Sequence, residues 1–263
     1  LKMKKRSGGK VDLVMNEQEY EDFYNKVGKI NGWDFSHLIY TTEGVNWDFY
    51  TEVKKRCKSS DILLDIGTGG GENVMSIAPS FLFLIGIDLS AQMIQSAQTN
   101  LMKSKIKNAR FLQMSSEQIQ FPNEFFNVVS SRHAPFQAKE VARVVADGGL
   151  FLTQQVSEGD KWNIKQTFER GQSYGEIDGS AKERYIKQLK EAGFSKVEVF
   201  DYNATEYYAR PEDLLFLLKH TPIIPHFGEQ KDDYKLLDQF INNNQTEKGI
   251  RTNAKRYLLI ARK

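Results

Sequence analysis

The chain has 263 residues, of which 40% are hydrophobic, enough for one large domain or a domain with an elaboration around a substantial core. Lys and Arg total 36 against 34 Asp and Glu, a net charge of +2, which argues against a chain built chiefly to bind nucleic acid. No stretch reaches the roughly 18 apolar residues of a membrane helix, no secretory leader is visible, and His37, His133, His220 and His226 show no metal-ligand spacing; a cytoplasmic chain without a metal is the expectation.

Lys2, Lys4, Lys5, Arg6 and Lys10 read as a solvated basic terminus. Tyr20, Phe23, Tyr24 and Val27 fall at helical spacing and predict a helix over 16–29, with Asn16 as its N-cap. Asn31-Gly32 is a turn signal. Trp33, Phe35, Trp47, Phe49 and Tyr50 follow, with a second helix over 47–57; these aromatics either cover a ligand or pack on a sheet edge. Cys57 is the only cysteine, so no intrachain disulfide can form, which fits a reducing compartment.

From there the chain alternates. Strands are predicted over 61–66, 82–87, 109–114, 126–131 and 149–155, and helices over 71–78, 90–103 and 137–146. That order implies a parallel sheet with helices on both faces. Right-handed crossovers bring the strand ends to one edge, where ligands bind. A polar stretch (157–179), a helix (180–192) ended by Gly193 and a strand (196–203) follow. Two helices, one opened by Pro211 and one over 231–243, separate that strand from the last, over 254–262.

The run Asp65-Ile66-Gly67-Thr68-Gly69-Gly70-Gly71-Glu72 lies between the first core strand and a helix start. Glycines allow close backbone approach to a ligand, and a helix N-terminus behind them offers free donors. The dinucleotide fingerprint G-x-G-x-x-G would place a glycine at position 72, where Glu72 stands. The apolar run Phe81–Ile87 ends in Asp88, where this kind of fold places the acid that grips a ribose. A helix N-cap is the alternative for Asp88, although Ser90 competes for that position.

The pattern D-x-G-x-G-x-G, followed by Asp88, resembles the first motifs of class I S-adenosylmethionine-dependent methyltransferases. The rhythm continues through Phe111-Leu112-Gln113-Met114-Ser115-Ser116-Glu117, Phe121-Pro122, the strand Phe126–Ser131 and Val141–Leu150, so the resemblance covers residues 61 to 155. Ser115 stands where the family usually has an Asp that bonds the adenine amino group, and Asn127 replaces the usual Asp of the fourth strand. The Gly148-Gly149 pair suits a helix C-cap and tight turn.

The resemblance implies a Rossmann-like three-layer sandwich. Its sheet is mostly parallel and seven-stranded with the last strand antiparallel, and a helical leader and an insertion before the last strand are added to it. The corresponding units are a leader (1–57) over the cofactor, a core (58–204), an insertion (205–252) as substrate lid, and the last strand (253–263). It implies S-adenosylmethionine as cofactor. Asp65 orients the turn and meets the amino group, with Gly67, Thr68, Gly69 and Gly71 along the methionine and ribose. Asp88 holds the ribose, Leu89 lies against the adenine, Ser115, Ser116 and Glu117 form its rim, and Ser131 sits on the sulfonium side. Arg132 and His133 follow at the mouth: His133 as a base or a local cap, Arg132 as a holder of an acidic substrate group or a structural ion pair. His220, Tyr207, Tyr208 and Trp33 are further candidates around the acceptor. Methyl transfer to a small-molecule acceptor is the expected activity. The alternatives are an RNA or protein methyltransferase, a binding module without catalysis, and an NAD-dependent enzyme.

Overall fold

The computed structural model describes residues 17–30 and 35–263. The expected N-cap Asn16, the Asn31-Gly32 turn, Trp33 and the basic residues 2–10 lie outside them. In chain order the first half contains α1 (Glu17–Ile30), β1 (Tyr40–Glu43), α2 (Phe49–Lys54), β2 (Ile62–Ile66), a 3-10 helix (Val74–Ser80), β3 (Phe83–Asp88), α3 (Ala91–Lys103) and β4 (Ala109–Gln113). Then come β5 (Phe126–Arg132), α4 (Ala138–Val144), β6 (Val145–Val156), α5 (Trp162–Phe168) and α6 (Ser180–Glu191). The chain closes with β7 (Lys196–Tyr208), α7 (Pro211–His220), α8 (Asp233–Asn244), β8 (Gln245–Thr246) and β9 (Gly249–Arg262).

All the strands join one sheet in the order β4-β3-β2-β5-β6-β9-β7-β1, with β8 paired to β9. Strands β2 to β6 are mutually parallel, and β9 runs antiparallel between β6 and β7. The parallel strands are apolar at successive positions because both faces are covered. Leu63, Leu84, Val128 and Leu152 pack beneath α2, the 3-10 helix and α3, whereas Leu64, Ile85, Val129 and Phe151 pack beneath α4 and α6. Ser90 caps α3 by accepting from Met93 N at 3.2 Å, and Asp48 caps α2 by accepting from Thr51 N at 2.8 Å.

Among the described residues the sheet has two strands more than the expected seven. β7 and β9 stay paired from Lys196–Arg262 to Tyr208–Ile250, well past the predicted strand ends, which narrows the insertion to residues 209–248. This long antiparallel arm exposes an edge that β1 fills, Tyr40 lying opposite Tyr208. β1 is four residues long, too short for alternation to mark it, so the leader is part strand rather than wholly helical.

The helix predicted over 71–78 is a 3-10 helix with Pro79 inside it; the glycine run and this proline both disfavour an α-helix. The Gly148-Gly149 pair turns the chain within the β6 segment, since α4 already ends at Val144 and Val145 pairs with Phe126. Within the polar stretch 157–179, α5 is bounded by Lys161 and Glu169, both at positive φ, and neither residue is a cap signal.

Helices α5, α7 and α8 share a third apolar core through Ile164, Phe168, Leu214, Leu218, Leu237 and Phe240, closed below by Tyr208 and Ile250 of the arm. Phe35 and Leu38 of the leader pack against it. Arg170 is paired with buried Asp233 across this unit at 2.5 Å.

Candidate functional site

The glycine turn sits at the C-terminal end of β2. Gly67, Gly69 and Gly71 have φ of +70°, +57° and +76°, conformations costly for any other residue. A Cβ on Gly67 would lie 2.1 Å from Ala134 Cβ, so the loop after β5 rests on the turn. A Cβ on Gly71 would lie 2.8 Å from the Phe111 ring.

The backbone donors of this turn were expected to face a ligand. They face the protein instead. Gly67 N and Thr68 N both donate to Ile87 O, at 2.8 and 3.0 Å, and Gly71 N donates to Thr68 O at 3.0 Å. Gly69 N donates to Asp88 Oδ2 at 3.0 Å. The end of β3 supplies these acceptors because it lies beside β2 in parallel register, Asp65 opposite Gly86. The Thr68 hydroxyl lies under the turn, where a Cβ on Gly86 would approach it to 2.7 Å.

Ser90 takes the cap of α3, so Asp88 is not the helix cap. Its other oxygen accepts from Ser90 N at 2.9 Å. Burial raises the Asp88 pKa, partly offset by the N–H groups of Ser90, Gly69 and Leu89. A carboxylate has about four acceptor directions, so with three N–H groups already on it one further donor can be received. The Ser90 hydroxyl donates to Asn25 of α1 at 2.7 Å, which fixes the leader helix beside this site.

Asp65 is fully buried. Ser130 Oγ donates to it at 2.5 Å and Tyr50 OH reaches it at 3.4 Å. Burial raises its pKa to about 7, against the pull of these hydroxyls and of Arg132.

The remaining predicted residues surround the loop after β5. Ser131 Oγ donates to Ala134 O at 3.0 Å, Ser116 Oγ to Pro135 O at 3.1 Å and Gln155 Nε2 to Ala134 O at 2.8 Å. Three side chains therefore hold this loop over the glycines. Ser115 Oγ accepts from Glu117 N at 3.2 Å, and Glu117 is exposed. Leu89 is half-buried, its carbonyl accepting from Gln113 at 3.1 Å.

His133 lies in this loop with φ of +57°. Its Nε2 stands 2.9 Å from Gln154 Nε2, and Trp47 Nε1 donates to Gln154 Oε1 at 2.8 Å. An indole N–H can only donate, so it fixes the Gln154 oxygen and turns the amide nitrogen to His133. That nitrogen donates, which makes His133 Nε2 the acceptor of a neutral ring. Burial, and then the charges of Arg256, Arg132 and Lys161, push the His133 pKa well below its ordinary value. A base poised near neutral pH would have the opposite surroundings.

Arg132 is half-buried on the same sheet face as Asp65, its guanidinium 5.9 Å from the Tyr50 ring centre. It makes no ion pair among the described residues, and its Nε is buried without a hydrogen-bond partner. Arg256 of β9 is paired with Asp160, and Lys161 with Glu206. The sequence reading missed Gln154, Arg256, Lys161, Tyr40 and Tyr202 here. Gln154-Gln155 at the end of an otherwise apolar strand was the available signal. The others depend on the β7–β9 arm, which no local pattern announced. Tyr207 and Tyr208 point to opposite faces of β7: Tyr208 OH donates to Glu206 at 2.9 Å, whereas Tyr207 meets Lys248. His220 stacks on Phe216 within α7 and is not drawn into the cluster.

The methyltransferase-domain family matches residues 63–149, from β2 to the turn in β6. The segment from β2 to the turn in β6 is thus similar to methyltransferase domains. An uncharacterized methyltransferase of Bacillus subtilis, YcgJ, is 30% identical over 103 residues, 36% of this chain and 41% of that protein. An uncharacterized protein of Methanocaldococcus jannaschii, MJ1252, is 27% identical over 160 residues, 59% of this chain and 61% of that protein. The chain thus matches less than two thirds of the length of either curated relative. The crystal structure of YcgJ superposes with a TM-score of 0.60 at 23% identity, covering 81% of this chain and 97% of YcgJ. Phosphoethanolamine N-methyltransferase 2 of Haemonchus contortus, in complex with phosphomonomethylethanolamine and S-adenosylhomocysteine, superposes at 0.54 with 20% identity, over 96% of this chain and 59% of that one. At such identities the two structures share the fold. The matched segment holds the turn, Asp88, Ser115–Glu117 and Ser131–His133, whereas the leader, the arm and the helical insertion lie outside it. Among the described residues no helix is long and apolar enough to cross a membrane, and no His, Cys, Asp and Glu group is arranged to hold a metal ion.

Proposed function

We propose that this chain is a methyltransferase that carries a methyl group from S-adenosylmethionine to a small-molecule acceptor at the C-terminal edge of the sheet. One observation carries the choice of cofactor. The turn's N–H groups at Gly67, Thr68, Gly69 and Gly71 already have protein acceptors, while Asp88 keeps acceptor capacity. A dinucleotide needs free turn donors and a helix N-terminus for its pyrophosphate. An adenosyl ligand without phosphates needs only the ribose grip and close backbone approach, which disfavours the NAD reading.

In this reading Asp88 accepts from a ribose hydroxyl and Leu89 lies against the adenine, with Ser115, Ser116 and Glu117 at its rim. Gly67, Thr68, Gly69 and Gly71 line the ribose and methionine portion, and Asp65 turns toward the ammonium. Ser131 holds the Ala134 carbonyl and thereby shapes the sulfonium side. Bound S-adenosylmethionine supplies an electrophilic methyl group on a sulfonium. The chain contributes placement of the acceptor in line with that bond, an effect worth about 7–11 kcal/mol when orientation is good. His133 orients rather than deprotonates, because its Nε2 is held by Gln154. The leader, fixed at Asn25, serves as cofactor cover, and residues 209–248 serve as the lid over the acceptor. A lid with its own apolar core and a net charge of +2 favour a small acceptor over RNA.

The test is release of S-adenosylhomocysteine when the chain is incubated with S-adenosylmethionine and fractionated metabolite extracts. A low-molecular-mass fraction should support release, and Asp88→Ala should abolish it. Release only with RNA or protein fractions would replace the small-molecule reading. Binding of S-adenosylhomocysteine with no turnover in any fraction would make the chain a binding module.

A further inference from the structure

Arg132, Arg256 and Tyr202 lie on one face of the sheet, with His133 and Tyr40 within electrostatic reach of both arginines. Arg132 and Gln154 are opposite one another across β5 and β6, and Val156, Arg256 and Tyr202 form the next row on the same face across β6, β9 and β7. Trp47 joins the rows, its indole bonded to Gln154 and its ring 4.6 Å from that of Tyr202. Both guanidinium groups lie within electrostatic reach of the Tyr40 and Tyr202 hydroxyls and the His133 ring, and so does the Glu206 carboxylate for both tyrosines and Asp160 for Tyr202.

The charges at this spot do not balance. Arg256 has Asp160 and Lys161 has Glu206. Arg132 has no anion among the described residues, and its Nε is a buried donor without an acceptor. Asp65 behind Tyr50 is already engaged by Ser130, and with a pKa of about 7 it is only half ionised near neutrality. His133 is held neutral. An unpaired guanidinium among aromatic rings is costly, and its planar fork matches a carboxylate or phosphate. A sulfonium brought next to it adds more positive charge.

We propose that the methyl acceptor carries an anionic group, carboxylate or phosphate, that docks on Arg132 with Arg256 and the Tyr40 and Tyr202 hydroxyls around it. This rests on the methyltransferase reading and names its substrate class. The acceptor's nucleophilic atom then lies on the sulfonium side of its anion, near Ser131 and His133.

Inorganic phosphate and acetate serve as probes, titrated calorimetrically at low ionic strength into the chain saturated with S-adenosylhomocysteine. Saturable binding of one anion is expected, weakened at least tenfold in Arg132→Gln and severalfold in Tyr202→Phe, which removes only a hydroxyl. Circular dichroism and retained S-adenosylhomocysteine binding show that each variant is folded and its cofactor site intact. Absent anion binding, or binding unchanged in Arg132→Gln, would overturn the proposal. So would a loss of S-adenosylhomocysteine binding in Arg132→Gln with unchanged binding of methylthioadenosine, which lacks the amino-acid portion; Arg132 would then belong to the cofactor's carboxylate. Failure of the wild-type chain to bind S-adenosylhomocysteine would instead remove the underlying methyltransferase reading.

Discussion

Burial raises the Asp65 carboxyl to about 7, far above its ordinary 3.8, although Ser130 and Tyr50 both reach it. A folded-state pKa above the unfolded one means that the native chain binds the proton more tightly. The resulting stabilisation is complete below about 4 and is lost as pH rises through about 7. Its full size is on the order of 4 kcal/mol, from about three pH units at 1.36 kcal/mol each. His133 works in the opposite sense: its depressed pKa favours the fold above its ordinary value and costs stability as pH falls. Comparison of the wild type with Asp65→Asn cancels His133, which both carry. Denaturation at pH 5 and pH 8 should show the variant gaining relative stability at the higher pH by a few kcal/mol. Parallel curves at the two pH values would contradict the assigned pKa. The sequence marks Asp65 as the acid that opens the motif, but not its neighbours, because Tyr50 and Ser130 reach it from α2 and β5.

At the scale of elements, the glycine turn and the loop after β5 fit as one contact. Gly67→Ala places a Cβ 2.1 Å from Ala134 Cβ at a φ of +70°. The left-handed conformation costs about 1–2 kcal/mol and the overpacking about 1–3 kcal/mol. Chemical denaturation should show a loss of at least about 2 kcal/mol. Adding Ala134→Gly should restore the overpacking part and leave the conformational part. No rescue would mean that the loop does not rest on the turn. These glycines were legible because a tight turn has few sequences that can make it. β1 and α5 were not. β1 is four residues that pair only because β7 runs long, and α5 begins and ends at residues without capping side chains. Gln154 and His133 lie 21 residues apart, and their bond needs the parallel register of β5 and β6.

Across the whole molecule, the alternation of strand and helix from 61 to 155 foretold the parallel half of the sheet, because burial on both faces forces apolar residues at successive positions. The antiparallel arm was foretold only in outline. Its outer rows include Glu206, Asn253 and Thr252, whose polar character hid their place in strands; their partners are Lys161 just before α5 and Trp162 and Asn163 within it. The turn, Asp88 and Arg132 all lie at the C-terminal ends of the parallel strands β2, β3 and β5. The central claim is that this edge takes an adenosyl ligand without phosphates. Calorimetric titration of the chain with S-adenosylhomocysteine and with NAD tests it most directly. One S-adenosylhomocysteine site is expected, weakened at least tenfold by Asp88→Ala, with no NAD binding. NAD binding, or no S-adenosylhomocysteine binding to the folded chain, would contradict it.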